Sequence, residues 1–316
     1  MARWTTADMP DLAGRVAVVT GTGGIGLEDA LALARAGATT IVAGRNPAKG
    51  AQAVDRILRA AGGAKVGFEL LDLADLGSVA AGAERLAQRL GRIDILINNA
   101  AVMVPPARQV TADGFELQFA TNYLGHFALT GHLLPLLRAT PGARVVSLSS
   151  VAAPRGAIRL DDLQFERGYQ PMPAYAQSKL ACLMFALEFQ RRSDAMAWGV
   201  TSIAAHPGVS RTDLIHNGAG RRSLPGMVRS VLPFLFQPAA QGALPTLFAA
   251  TAPGARGGAY YGPDGMGGLR GYPTLSAVPP RALDEEIAAR LWEASERLCG
   301  VRFGAAAAQP ETSAAA

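Results

Sequence analysis

The strongest constraint on how this chain folds is a rhythm. Over the first 205 residues, short β-branched runs alternate with longer stretches of helical pattern. The runs lie at 15–20, 39–43, 66–71, 93–97, 144–148 and 200–205, and the helical stretches at 25–36, 47–61, 78–90, 114–137 and 174–192. Strands that are apolar almost throughout cannot face water on either side, so they pair in parallel beneath helices on both faces. Asn46 before Pro47 marks one helix start, a capping side chain followed by proline at the first helical position. The expectation is an α/β fold, a doubly wound parallel sheet of the Rossmann type. With 316 residues, 49% of them hydrophobic, the chain can bury a large core. No linker or repeat divides it, so residues 1–303 are read as a single domain. The low-complexity tail, 304–316, is expected to be disordered.

The first run leads into Thr20-Gly21-Thr22-Gly23-Gly24-Ile25-Gly26, and a helix follows. Gly21, Gly23 and Gly26 satisfy G-x-G-x-x-G in strand–turn–helix context. Glycine there lets the backbone approach a pyrophosphate, whose charge meets the positive end of the helix. Residues 21–26 are therefore expected to line a dinucleotide. The second run ends Ala43-Gly44-Arg45-Asn46. A carboxylate at that strand end would bind the ribose 2′-hydroxyl of NAD, and an arginine suits the 2′-phosphate of NADP. With no acid and with Arg45 beside Asn46, NADP is the expected cofactor. Asp72-Leu73, closing the third run, places an acid either on the adenine or at a helix entry. Asn98-Asn99-Ala100-Ala101 is a small-residue turn beside the cofactor ribose, or a turn whose amides satisfy backbone groups.

Tyr175 and Lys179 stand four residues apart in a helical stretch, on one face and one turn apart. A free phenol titrates near 10, and a neighbouring ammonium favours its ionisation, bringing it toward the range of a general acid/base. Ser150 ends the fifth run, and Asn122 lies in the preceding helical stretch. Either alone reads as an ordinary polar residue; together with Tyr175 and Lys179 they fall where one hydride-transfer mechanism needs them.

Other chemistries are excluded by composition and spacing. The +5 charge comes from 27 arginines and three lysines that are scattered, with no basic run interleaved with aromatics, so no nucleic-acid partner is expected. Cys182 and Cys299 match no metal or redox spacing, and His126, His132, His206 and His216 form no ligand cluster, so no metal is expected. The N-terminal residues lack the apolar core of a signal peptide, and no apolar run reaches the ~18 residues needed to span a bilayer. A cytoplasmic protein with no stable membrane insertion is expected.

Glycine loop, Asn-Asn-Ala turn, strand-end serine and Tyr-x-x-x-Lys occur in the order seen in the short-chain dehydrogenase/reductase family, which the chain resembles over roughly residues 11–300. Thr121-Asn122-Tyr123-Leu124-Gly125-His126-Phe127, the 25-residue step from Ser150 to Tyr175 with Asp161-Asp162-Leu163 inside it, and Gly257-Gly258-Ala259-Tyr260-Tyr261 resemble its retinol dehydrogenase-like branch. That branch includes WW-domain oxidoreductases and protochlorophyllide reductases. The resemblance implies Tyr175 as acid/base, Lys179 on the nicotinamide ribose, Ser150 on the substrate oxygen and Asn122 as anchor of a water relay. It also implies that Pro207, Gly208, Val209 and Thr212 belong to the Pro-Gly loop, with Thr212 on the carboxamide. The family's Thr-Gly-x-x-x-Gly-x-Gly is one residue shorter here, which alters the expected phosphate contacts, and Ala101 replaces its usual glycine.

The expected activity is NADP(H)-dependent hydride transfer to or from an apolar or bulky ketone or secondary alcohol. The alternatives are a nicotinamide-using isomerase or epimerase, and an NADP-binding regulator without turnover. Residues 212–238 carry Met227, Val231, Phe234 and Phe236 among interrupting glycines and prolines, and are read as a substrate lid. A homo-oligomer is compatible with the sequence.

Overall fold

Strand β1 (Val16–Thr20) buries its last four residues and pairs in parallel with β2 (Thr39–Gly44) on one side and β4 (Ile95–Asn98) on the other. The computed structural model of the protein describes residues 3–210 and 237–304. Within them β3 (Val66–Leu70), β5 (Arg144–Leu148), β6 (Thr201–Ala205), β7 (Tyr260–Gly265) and β8 (Arg270–Leu275) complete an eight-stranded sheet of order β3-β2-β1-β4-β5-β6-β7-β8. All neighbours are parallel except β7 and β8. Strand order reverses between β1 and β4, which opens a crevice at the carboxyl ends of the strands. The doubly wound sheet is the one expected. Thr212, most of the expected lid with Met227, Val231, Phe234 and Phe236, and the tail beyond Gly304 lie outside the described residues.

Both faces of the sheet are covered. Helices α1 (Gly24–Arg35) and α2 (Pro47–Ala60) enclose one apolar cluster with α7 (Ala239–Thr251). On the other face α3 (Leu76–Arg89), α5 (Gly125–Arg138), α6 (Pro171–Ala195) and α8 (Glu285–Cys299) enclose the second. The caps are local: Asn46 accepts from the Lys49 N–H and Asp75 from the Ser78 N–H, so Asp75, not Asp72, enters α3. An aromatic cluster seals α8 against α5 and α6, with Trp292 stacked on Phe185 at 5.7 Å and set edge-on to Phe127 at 5.0 Å.

Two departures from the sequence reading have physical causes. The single helix expected over 114–137 is broken. Gly114, at φ 87°, closes a turn in which Val110 bridges Glu116, and Glu116 then caps a short α4 (Leu117–Phe119) by accepting from the Phe119 N–H at 2.7 Å. A wide π turn, Ala120–Leu124, follows before α5 begins. Beyond residue 205, β7 and β8 read as Tyr-Tyr-Gly-Pro-Asp-Gly and Arg-Gly-Tyr-Pro-Thr-Leu, which carry the glycine and proline that mark a non-strand. They form because β8 closes the sheet as its edge strand and β7 pairs with β6 only through Tyr260 and Tyr261, so Pro263 faces Pro273 where a missing N–H is tolerated.

Asp29 is a costly residue of the core. It is fully buried in α1, and neither carboxyl oxygen has a partner among the described residues. A Cβ on Gly242 would come within 2.8 Å of Ile25. One turn further along each helix come Asp29 and Thr246, whose hydroxyl also lacks a partner. Burial, with Glu28 nearby, raises the Asp29 carboxyl well above the usual range. The folded state therefore keeps a proton that the unfolded chain loses near pH 4, and stability falls as pH rises from there. Asp29→Ala is expected to stabilise the protein by about 1–3 kcal/mol at pH 8, with a smaller gain at pH 5. Thermal melts at the two pH values measure it. A loss of stability at both would show that Asp29 has a partner.

Candidate active site

The glycine loop forms a cradle with an open floor. Gly23 precedes α1 with no side chain capping the helix, and nothing lies within 4 Å of where its Cβ would be. The first N–H groups of α1 are thus free for an anion. Gly21, at φ 104°, and Gly26 are needed for close approach: a Cβ on either would run into the Asn99 side chain, at 2.7 Å from Gly21. The shorter loop still delivers an uncapped helix end at the switch point, and a dinucleotide pyrophosphate fits it. At the end of β2, a Cβ on Gly44 would fall 2.8 Å from Thr22 Cγ2, so a carboxylate side chain has little room there. Arg45 and Asn46 are exposed beside it, with no described side chain engaging the Arg45 guanidinium.

At the third strand, Asp72 accepts from the Ala74 N–H through Oδ1 at 3.0 Å. Leu73 is buried in the core, its backbone crossed by α5 at Gly125. Asn99 serves the loop itself, its Nδ2 donating to the Thr20 carbonyl at 2.7 Å. The Thr20 hydroxyl accepts the N–H groups of Asn99 and Ala100 at 2.9 and 3.0 Å. A residue the sequence reading left without a role completes this lock. Burial pushes the His126 imidazole down to about 3, so it is neutral. Its Nδ1–H donates to the Asn122 carbonyl at 2.9 Å, which leaves Nε2 to accept the Thr20 hydroxyl at 2.8 Å. His126 therefore ties the glycine loop to Asn122.

The four expected catalytic residues meet at the carboxyl end of the sheet. Asn122, at the centre of the π turn, donates through Nδ2 to Ser178 Oγ at 2.9 Å, and Ser178 donates to the Tyr175 carbonyl at 2.8 Å. Lys179 is buried and donates through Nζ to the Leu148 carbonyl at 3.0 Å, leaving two N–H groups for another oxygen. Of the two serines after β5, Ser149 commits its hydroxyl to the Lys179 carbonyl at 2.8 Å. Ser150 is half-buried, and among the described residues its hydroxyl oxygen accepts only the Ala152 N–H, at 3.2 Å. Tyr175 is 5% exposed, and no described residue takes its hydroxyl.

The Pro-Gly loop closes the far side. Gly208, at φ 62°, has no room for a side chain against the Leu269 carbonyl, and the Val209 N–H donates to that carbonyl at 2.8 Å. Gln237 Nε2 donates to the Pro207 carbonyl at 2.7 Å. Tyr260 is a second residue without an assigned role in the sequence reading. It is buried against the His206 ring at 5.0 Å, with its hydroxyl 3.5 Å from the Ser150 carbonyl. Burial pushes its phenol up, so it stays neutral beneath Ser150. Its only sequence signal is its place in Gly257–Tyr261.

An open sheet with an uncapped helix at its switch point and a Tyr–Lys pair beside it defines a class: oxidoreductases that hold a nicotinamide dinucleotide across the carboxyl edge. The chain belongs to the short chain dehydrogenase family, whose model matches residues 15–221. It is 40% identical to mouse retinol dehydrogenase 13 over 294 residues, 91% of this chain and 84% of that relative. Mouse polyprenol dehydrogenase is also 40% identical, over 307 residues, 94% of this chain and 87% of its own length. Among solved structures, an uncharacterized protein from Mycobacterium paratuberculosis is 40% identical with a TM-score of 0.78, covering 96% of this chain and 99% of that one. The Pseudomonas aeruginosa RhlG/NADP complex is 25% identical with a TM-score of 0.63, covering 79% of this chain and 94% of its own. No helix among the described residues is long and apolar enough to cross a membrane.

Proposed function

We propose that the protein is an NADP(H)-dependent alcohol dehydrogenase and carbonyl reductase acting in the cytoplasm on apolar or bulky ketones and secondary alcohols. The observation that carries this reading is the Tyr175 phenol, buried one helical turn from Lys179, with no hydrogen-bond partner for its hydroxyl among the described residues. The uncapped end of α1 would hold the pyrophosphate, Arg45 and Asn46 the 2′-phosphate, Asp72 the adenine, and Lys179 the nicotinamide ribose. Pro207, Gly208, Val209 and Thr212 would border the nicotinamide, which when bound supplies or accepts the hydride. As the substrate oxygen gains charge, Tyr175 gives it a proton and the Ser150 hydroxyl donates a second hydrogen bond. Asn122 acts here by position. Its side chain is fully engaged, and its carbonyl already accepts from His126 Nδ1 and from Cys182 Sγ at 3.1 Å.

Two observations support an apolar substrate. The relatives named above are a retinol and a polyprenol dehydrogenase. Two exposed apolar side chains also lie near the proposed site: Met172, three residues before Tyr175 and 42% exposed, and Leu269, 38% exposed, whose carbonyl accepts the Val209 N–H. NADPH absorbance followed against a panel of ketones tests the reading. Net oxidation of NADPH with alcohol formation is expected. Product without net cofactor change would mean an isomerase or epimerase, and tight NADPH binding with no product would mean a regulator.

A further inference from the structure

Residues 102–105, just beyond the Asn-Asn-Ala turn, adopt a shape their sequence does not favour. Val104 has φ 45°, in the left-handed region. Where a turn alone needs that conformation, Gly, Asn or Asp supplies it, and a β-branched residue there is a true outlier. Such strain persists only where the surroundings over-determine it.

Here two amide side chains do so. The Val102 N–H donates to Asn122 Oδ1 at 2.7 Å, and Asn122 Nδ2 donates back to the Val102 carbonyl at 3.0 Å. The Val104 N–H donates to Gln118 Oε1 at 2.7 Å. Gln118 is fully buried, and its Nε2 donates to the Pro171 carbonyl at 3.0 Å and to the Tyr169 hydroxyl at 3.1 Å. That hydroxyl in turn donates to the Pro105 carbonyl at 3.3 Å. Val102, Val104 and Pro105 are thus held by Asn122, Gln118 and Tyr169, and Gln118 ties them to Pro171, the first residue of the helix that carries Tyr175. Val104 faces inward at 9% exposure, while Val102 and Met103 remain partly open beside the catalytic turn.

We propose that residues 102–105 form a pre-shaped apolar wall of the substrate cleft. Gln118 is the positioning residue that holds the wall in its strained form, and the wall selects carbonyl substrates by the bulk next to the reacting carbon. This rests on the carbonyl-reductase reading above.

Two variants release the wall by different routes. Gln118→Met keeps volume but removes the acceptor for Val104 and both donors. Val104→Gly accepts the left-handed backbone while freeing it to move. Each is assayed with NADPH on cyclohexanone and on benzophenone, and amide hydrogen exchange is followed over residues 101–106. In the unaltered protein the Val102 and Val104 amides are slow to exchange, and in both variants they exchange faster. The ratio of kcat/KM between the two ketones moves toward unity by about tenfold, mostly through KM. The Kd for NADPH changes by less than about twofold, which also shows that the variants are folded. Faster exchange with an unchanged ketone ratio overturns the wall, because the segment is then only structural. Unchanged exchange in Gln118→Met overturns the role of Gln118. If the unaltered protein oxidises NADPH with neither ketone, the reductase reading fails, and the wall, which rests on it, falls with it; a failure of the wall alone leaves both ketones reduced.

Discussion

Tyr175→Phe is expected to lower turnover about 10²–10⁴-fold while leaving NADPH affinity nearly unchanged. The substitution removes one oxygen atom from a side chain whose ring is packed at the N-terminal end of α6, and no described residue loses a hydrogen bond with it. Folding and cofactor binding should be spared for that reason. Steady-state kcat and a fluorescence titration with NADPH measure the two quantities separately. A near-normal kcat would remove Tyr175 from the chemistry. A matched loss of cofactor affinity would make the phenol a binding group and leave the proton donor to be sought elsewhere.

Arg45→Ala is expected to weaken NADPH roughly 10- to 150-fold and to leave NADH almost unchanged. A charge-assisted contact to a phosphate is worth about 1.5–3 kcal/mol, and each 1.4 kcal/mol is tenfold in affinity. The selectivity follows from geometry. The crowding of Gly44 by Thr22 leaves little room for the acid that would hold a 2′-hydroxyl, while Arg45 stands exposed with no described side chain engaging it. Equal losses for both cofactors would show that Arg45 supports the loop and does not select.

Most of the first two hundred residues were legible because the strands are short apolar runs and some helices begin with a local signal, as at Asn46–Pro47. The proposed catalytic pair was legible for a different reason: Tyr175 and Lys179 are neighbours on one helix, so spacing alone brings them together. What stayed hidden is held by long-range contacts. His126 meets Thr20 across 106 positions, Tyr260 reaches Ser150 across 110, and Gln118 works on Val104 through a turn that the helical pattern of 114–137 concealed. The strands β7 and β8 were hidden by their own prolines, tolerated because β8 is the edge strand and Pro263 lies past the residues of β7 that pair with β6.

The wide turn at Ala120–Leu124 carries a consequence for how this site can vary. Gln118, Asn122 and His126 stand four residues apart, and they reach Val104, Val102 and Thr20. In an unbroken α-helix, successive steps of four drift steadily around the axis, because each turn takes 3.6 residues. The extra backbone in the π turn takes up that drift, so Gln118 and Asn122 both reach the 102–104 segment while His126 reaches Thr20. Removing one residue from the turn would rotate His126 about 100° relative to Gln118, separating the contact to Thr20 from the contact to Val104 in one step. Individual side chains on this face can therefore be exchanged during divergence, whereas the length of the turn cannot change without dismantling both halves of the site.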